Sequence, residues 1–208
     1  MISLPSGIKS IIFDLGGVLV DLSTEKTAEA FAALADISTH DVFQAYTSNP
    51  DFNAYEKGDI SDSDFRNAVR RIFSINASNF EIDQCWNAML LNLPSTKLTL
   101  LEALKQHFKT IVLSNTNAIH LNYIERFMLN GSPLELLFHK AYYSHKVRMR
   151  KPELNIYTHV LEENNLTPEQ TIFLDDSQEN IDAAKSLGIQ TIHITHSDLI
   201  FDIFKKYD

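Results

Sequence analysis

A single cysteine, Cys85, among 208 residues leaves no partner for an internal disulfide, and a reducing cytoplasm is the natural setting for such a chain. No run of about 18 apolar residues occurs, which excludes a membrane-spanning helix on hydropathy. The stretch Met1 to Gly7 lacks the basic and apolar regions of a secretory signal. Positive charge is also scarce: 18 Lys and Arg stand against 27 Asp and Glu, a formal net charge of −9. Beyond Arg148, Arg150 and Lys151 no basic cluster stands out. Nucleic acid and anionic membrane are therefore excluded as main partners. A small anionic substrate survives that exclusion, because it needs only a local cationic site. The expected assembly is a monomer or weak homodimer.

What the chain does have is a set of short apolar runs that stop abruptly at polar residues. Ile8 to Phe13 reads as a strand and ends in Asp14-Leu15-Gly16-Gly17. Thr110 to Leu113 ends in Ser114-Asn115, and Thr171 to Leu174 ends in Asp175-Asp176. Thr191 to Ile194 follows Leu187-Gly188-Ile189, which reads as a helix C-cap leading into a strand. Helical patterns over Ala118–Leu129, Asn155–Asn164 and Glu179–Leu187 alternate with these runs, which predicts an α/β fold with a parallel sheet. The stretch Ser23 to Leu93 instead reads as successive helices: Thr24–Ala35, Thr39–Thr47, Asp62–Ser74 and Glu81–Leu91. Ser61 and Asp64 stand at capping-box spacing before the third. Some 70 residues of helix exceed what one crossover requires. The expected division is a core of residues 1–21 and 94–208 with an inserted α-helical cap of 22–93.

Ligands of open parallel sheets bind beyond the carboxyl ends of the strands. Those ends carry Asp14, Ser114, Asn115, Asp175 and Asp176, and Lys151 precedes a predicted helix. Each has an ordinary structural reading: an Asx-turn at Asp14, turn chemistry at Ser114-Asn115, an N-cap at Asp175-Asp176-Ser177, a solvated Lys151. Together they place three carboxylates, a hydroxyl, an amide and an ammonium around one point. Carboxylates so gathered repel unless a cation lies among them, and hard oxygen donors favour Mg²⁺.

At these residues the chain resembles the haloacid dehalogenase superfamily of hydrolases, most of whose members are Mg²⁺-dependent phosphatases. Phe13-Asp14-Leu15-Gly16-Gly17-Val18-Leu19 is similar to the first motif and Leu113-Ser114-Asn115-Thr116-Asn117 to the second. Arg150-Lys151-Pro152 fits the third, and Phe173-Leu174-Asp175-Asp176-Ser177 with Asn180 the fourth. The resemblance implies a Rossmann-like core flanked by helices, with the cap between motifs one and two. It implies Asp14 as a nucleophile forming an aspartyl-phosphate on a small phosphorylated metabolite. Mg²⁺ would be held by Asp14, Asp175, Asp176 and the Gly16 carbonyl. Ser114, Asn115 and the Gly16-Gly17 loop would hold the phosphoryl group, and Lys151 would stabilise its charge. The pattern further resembles a bacterial subgroup that includes α-D-glucose-1-phosphate phosphatase, which makes a sugar phosphate one candidate substrate.

Gly16 departs from the family, which usually has a second Asp there as general acid/base. Three explanations compete: a leaving group acidic enough to need little help, an acid from the cap or from water, or weak catalysis in a protein that chiefly binds its ligand. In the cap, Phe52 to Ser61 is the expected substrate-facing stretch, with Glu56 or Lys57 supplying a contact or a proton. The competing reading packs Phe52 and Tyr55 between helices and leaves Glu56 and Lys57 to solvent. Metal-independent 2-haloacid dehalogenation is disfavoured by Asp175-Asp176, and Lys57 is the sole suggestive residue for Schiff-base phosphonate cleavage. His193 and His196 are weak metal candidates, His139 and His145 lack obvious partners, and Cys85-Trp86 reads as cap core. Phe201, Ile203 and Phe204 are expected to pack a terminal helix.

Overall fold

The computed structural model describes residues 4–207, so residues 1–3 and 208 of the expected core, and the first residues read against a secretory signal, lie outside it. In chain order the strands are β1 (Ser10–Phe13), β2 (Asp21–Leu22), β3 (Leu90–Asn92), β4 (Lys109–Ser114), β5 (Lys140–Tyr143), β6 (Thr171–Asp175) and β7 (Gln190–His193). Five of them form one parallel sheet in the order β5-β4-β1-β6-β7. The chain steps from β1 to one side for β4 and β5, then to the other side for β6 and β7. A crevice therefore opens at the carboxyl end of β1, where strand order reverses. Side-chain alternation explains why these strands read as continuous apolar runs. Ile11, Phe13, Val112, Ile172 and Leu174 enter the core on one face, and Ile12, Ile111, Leu113 and Phe173 that on the other. A parallel sheet covered on both faces has no polar side to show.

Between β2 and β3 lie α1 (Thr24–Ala35), α2 (Thr39–Ser48), α3 (Pro50–Glu56), α4 (Asp62–Phe73) and α5 (Asn79–Asn87). They share a separate apolar cluster built on Phe31, Phe52, Phe65, Val69 and Trp86. Tyr55 stacks on Phe65 at 4.1 Å between ring centroids, and Phe65 meets Trp86 at 4.9 Å. The expected capping box at Ser61 forms, with the Asp64 N–H donating to Ser61 Oγ at 3.1 Å. The same device starts α2 through Ser38 and Asp41 and α5 through Ser78 and Glu81, and each cap stabilises its helix by about 1 kcal/mol.

Several expected boundaries shift. The last helix of this block stops at Asn87, because Leu90–Asn92 pairs with Asp21–Leu22 as an antiparallel ribbon. The helix expected over Ala118–Leu129 is α7 (Ala118–Tyr123), widening into a π-helical turn at Ile124–Met128. Helix α3, helix α6 (Ser95–Lys105) and edge strand β5 were not anticipated. The remaining helices are α8 (Ser144–Val147), α9 (Leu154–Glu163), α10 (Gln178–Ser186) and α11 (Leu199–Phe204). Ile203 and Phe204 are buried in α11 as expected, whereas Phe201 packs only partly buried. Gly188 ends α10 at φ +82°, the left-handed conformation that its C-cap role requires. No helix among the described residues is long and apolar enough to cross a membrane.

The ribbon is tied to the sheet layer by one buried cation. Lys97 on α6 has no solvent exposure; its Nζ donates to the Leu19 carbonyl at 3.1 Å and pairs with Asp21 at 3.0 Å. Asp21 also accepts from Ser197 Oγ at 2.7 Å. Removing the carboxylate would leave an ammonium buried with only the Leu19 carbonyl. Asp21→Ala is expected to lower unfolding free energy by about 2 kcal/mol, the partly exposed carboxylate moderating the cost. Lys97→Met, which removes the charge and keeps the volume, should cost less. Urea denaturation of both variants measures the difference.

Candidate active site

Asp14 follows the central strand directly, and its N–H donates to the Leu174 carbonyl at 2.8 Å, which holds it in line with β6. Its Oδ1 accepts from the Leu15 N–H at 2.7 Å and pairs with Lys151 Nζ at 2.8 Å. Oδ2 has no hydrogen bond among the described residues. Lys151 also donates to Asp175 Oδ2 at 2.6 Å. Asp175 Oδ1 in turn accepts from the Ser177 N–H at 2.8 Å and Asn180 Nδ2 at 3.0 Å. Both oxygens of Asp175 are thus engaged, and its main effect is to fix the lysine. Asp176 lies next to it at the exposed rim.

Asp14, Asp175 and Asp176 each offer an oxygen within 4.8 Å of the others. Three carboxylates against one ammonium leave the cluster short of positive charge. Burial pushes the Asp14 carboxyl up to about 8; Lys151 opposes that shift and Asp175 adds to it. Burial alone would lower the Lys151 ammonium, but Asp14 and Asp175 outweigh it and raise its pKa. An oxygen-only donor set with uncompensated negative charge fits a hard divalent cation.

The loop after Asp14 is shaped by two glycines with different needs. Gly17 has φ +72°, and a Cβ there would lie 2.1 Å from Asp176 Oδ2. Any side chain would displace that carboxylate. Gly16 has no such backbone demand, but a Cβ at its position would lie 2.5 Å from Leu22 Cδ1. Only the end of the exposed, flexible Leu22 side chain would have to move aside for a side chain there. The loop's own hydrogen bonds fall on the Leu15 and Val20 carbonyls.

Ser114 lies buried at the end of β4. The Asn115 side chain is spent on the backbone of Lys151: Oδ1 accepts from its N–H at 2.9 Å and Nδ2 donates to its carbonyl at 2.8 Å. This bridge joins motifs two and three and leaves only the Asn115 backbone N–H for a ligand. Glu56 and Lys57 are neither free ligands nor solvated side chains. Glu56 pairs with Arg150 at 2.9 Å and accepts from Tyr46 Oη at 3.3 Å, and Lys57 pairs with Glu153 at 2.5 Å. These two pairs tie α3 to the residues on either side of Lys151-Pro152. Glu56 lines the cavity described below, whereas Lys57 does not. Phe52 and Tyr55 pack in the helical cluster. The only basic cluster in the sequence accordingly dissolves: Lys151 is buried and Arg150 is paired.

Several histidines have partners that sequence spacing did not reveal. His139 Nδ1 accepts from the Thr110 N–H at 3.1 Å, and His145 Nδ1 donates to the Thr116 carbonyl at 3.0 Å. His193 Nε2 donates to the Asp176 carbonyl at 2.9 Å, a support for the motif-four turn rather than a metal ligand. His120 was missed altogether. It lies buried three residues after Asn117, stacked on Trp86 at 5.0 Å. Asn117 Oδ1 accepts from the His120 N–H at 3.0 Å and from Trp86 Nε1 at 3.3 Å.

A cavity of about 460 Å³ lies in the helical block beside this cluster, lined by the neighbours of Asp14 and not by the carboxylates or Lys151 themselves. Its inner end meets Leu15, Gly16, Ser114 and Asn115, and its walls come from α1, α2, α3, α4, α5 and α7.

A family model for haloacid dehalogenase-like hydrolases matches residues 8–188. The chain belongs to that family. It is 30% identical to a D-ribitol-5-phosphate phosphatase of Bacteroides thetaiotaomicron, over 88% of this chain and 90% of the relative. It is 26% identical to a sesquiterpene phosphatase of Aspergillus oryzae, over 91% of each. Among solved structures it resembles a haloacid dehalogenase family enzyme from Bacteroides thetaiotaomicron crystallised with magnesium and inorganic phosphate. That similarity has a TM-score of 0.83 at 34% identity and covers 90% of this chain and 94% of the other.

The Trp86–His120–Asn117 contact titrates. Burial lowers the His120 imidazole to about 4, only partly offset by the Trp86 carbonyl that accepts from its Nε2 at 3.0 Å. The unfolded chain binds that proton near pH 6.5 and the folded chain does not, so stability falls as pH drops from about 6.5 towards 4. At pH 5 His120 alone is expected to remove about 2 kcal/mol relative to pH 7.5. Urea denaturation at both pH values, repeated on His120→Gln, should show that increment vanish in the variant.

Proposed function

We propose that the protein is a Mg²⁺-dependent phosphomonoesterase acting on a small phosphorylated metabolite, with residues 22–93 as a cap over a core of 1–21 and 94–208. The observation that carries this reading is Lys151, buried between Asp14 and Asp175 at 2.8 and 2.6 Å. One ammonium aligns the attacking carboxylate while leaving its second oxygen available. Asp14, Asp176 and the Gly16 carbonyl would hold Mg²⁺, with Asp175 alongside. The ion, when bound, supplies positive charge to the phosphoryl oxygens and to the crowded carboxylates.

Asp14 Oδ2 attacks phosphorus in line, the ester P–O bond breaks, and an aspartyl-phosphate remains. Lys151, Ser114 and the Asn115 N–H stabilise the charge on the transferring group. Water then attacks the aspartyl-phosphate, releasing inorganic phosphate and free Asp14. The leaving oxygen takes its proton from water. Gly16 has no acid to give, and the oxygens of Glu56 are engaged by Arg150 and Tyr46. Substrate class does not follow from the relatives, since one is named for an alditol phosphate and another for a sesquiterpene phosphate.

With p-nitrophenyl phosphate and Mg²⁺, phosphate release is expected, to be abolished by EDTA and lowered on the order of 10⁴-fold or more in Asp14→Asn. Robust turnover in EDTA would overturn the assignment. A second prediction concerns position 16. Gly16→Asp requires only that the exposed end of Leu22 shift aside. Gly16→Asp, with or without Leu22→Ala, is expected to exceed the native chain about 100-fold in kcat on esters with poor leaving groups, within the range of general acid catalysis. Initial rates on phenyl and alkyl phosphates measure both.

A further inference from the structure

We infer that the organic part of the substrate is apolar, an alkyl or isoprenoid-like phosphate ester, and not a polyol or sugar phosphate. This rests on the phosphomonoesterase reading above and deepens it. The cavity leading from Ser114 and Gly16 is walled by Phe31, Val42, Phe52, Phe73, Trp86 and Leu90. An apolar lining is common to many ligand pockets and does not decide the class by itself. What decides is the state of the polar groups among those walls.

Most polar side chains of the helical walls are already engaged within the protein, the hydroxyls of Thr24 at the exposed rim and of Thr116 near Ser114 being the exceptions. Thr27 Oγ1 bridges the Trp86 carbonyl and the Met89 N–H, both at 3.1 Å. Thr47 Oγ1 donates to the Phe43 carbonyl at 3.0 Å. Tyr46 donates to Glu56, and Glu56 pairs with Arg150. Asn117 and His120 are tied to each other and to Trp86. A polyol entering here would give up water at each hydroxyl and find partners only at Thr24 and Thr116, at a cost of about tenfold in binding for each hydroxyl left without one. An alkyl chain loses nothing of the kind. The mouth points the same way: Leu22, Phe43 and Tyr46 are exposed, and all three line the cavity. Leu22 also borders Gly16 and so carries the apolar wall up to the loop after Asp14.

Trp86 is the only tryptophan of the chain and forms part of the wall, so its fluorescence reports occupancy without turnover. The test titrates n-butyl-, n-hexyl- and n-octylphosphonate and D-ribitol 5-phosphate into the full chain with Mg²⁺. Affinity is expected to rise about three- to fourfold per methylene, with octylphosphonate binding more tightly than the ribitol ester. Affinity that is flat with chain length, or tighter for the ribitol ester, would overturn the inference. Hydrolysis of n-octyl phosphate is measured in parallel. Octylphosphonate binding without hydrolysis would sustain the apolar site and count against the phosphatase reading. Hydrolysis of p-nitrophenyl phosphate with no chain-length preference would do the reverse.

Discussion

The ammonium of Lys151 is the constraint around which the site is organised. It sits fully buried between the carboxylate that ends β1 and the one that ends β6. A charge so placed is tolerated only when paired, and each carboxylate likewise depends on it. Its position is therefore specified from several directions. Asn115 at the end of β4 clasps its backbone, and Asp175 is itself held by Ser177 and Asn180. The carboxylates after β1 and at the end of β6 thus meet at one nitrogen atom, and Asn115 after β4 holds the backbone that carries it.

The same residue links the sheet to the helical block. Arg150 and Glu153, on either side of Lys151-Pro152, take the ion pairs from Glu56 and Lys57. Ser144 Oγ donates to the Glu56 carbonyl at 2.6 Å and accepts from the Thr116 N–H at 2.9 Å. Gly58 lies so close to the His145 carbonyl that a Cβ would stand 2.1 Å from it. Movement of α3 therefore bears on the charged cluster and on the cavity wall together. Charge on this helix serves attachment, which leaves the cavity beyond it to aromatic and aliphatic surface.

Much of the charged cluster was legible in the sequence because strand ends in a parallel sheet are points of convergence. Asp14, Ser114, Lys151, Asp175 and Asp176 each follow an apolar run or precede a helix, and topology brings those points together. Helices α1, α2 and α4 were legible because apolar periodicity and capping residues are local signals. Strands β2 and β3 were not, since two or three residues become a strand only through a partner some 70 positions away. The roles of Glu56, Lys57 and Asn115 were not legible either. A charged or amide side chain carries no local mark of whether its partner is a ligand, solvent or another part of the chain.

Gly16 divides the two kinds of information most clearly. The sequence by itself determined that no acid stands two residues after Asp14, and that the surrounding motifs are those of a haloacid dehalogenase-like hydrolase. Only the tertiary structure decided what surrounds that position. The backbone there does not require glycine, and the nearest side chain is Leu22, delivered by a ribbon that closes through Leu90–Asn92. Sequence patterns record what each short segment prefers, and packing between distant segments settles which space remains for chemistry.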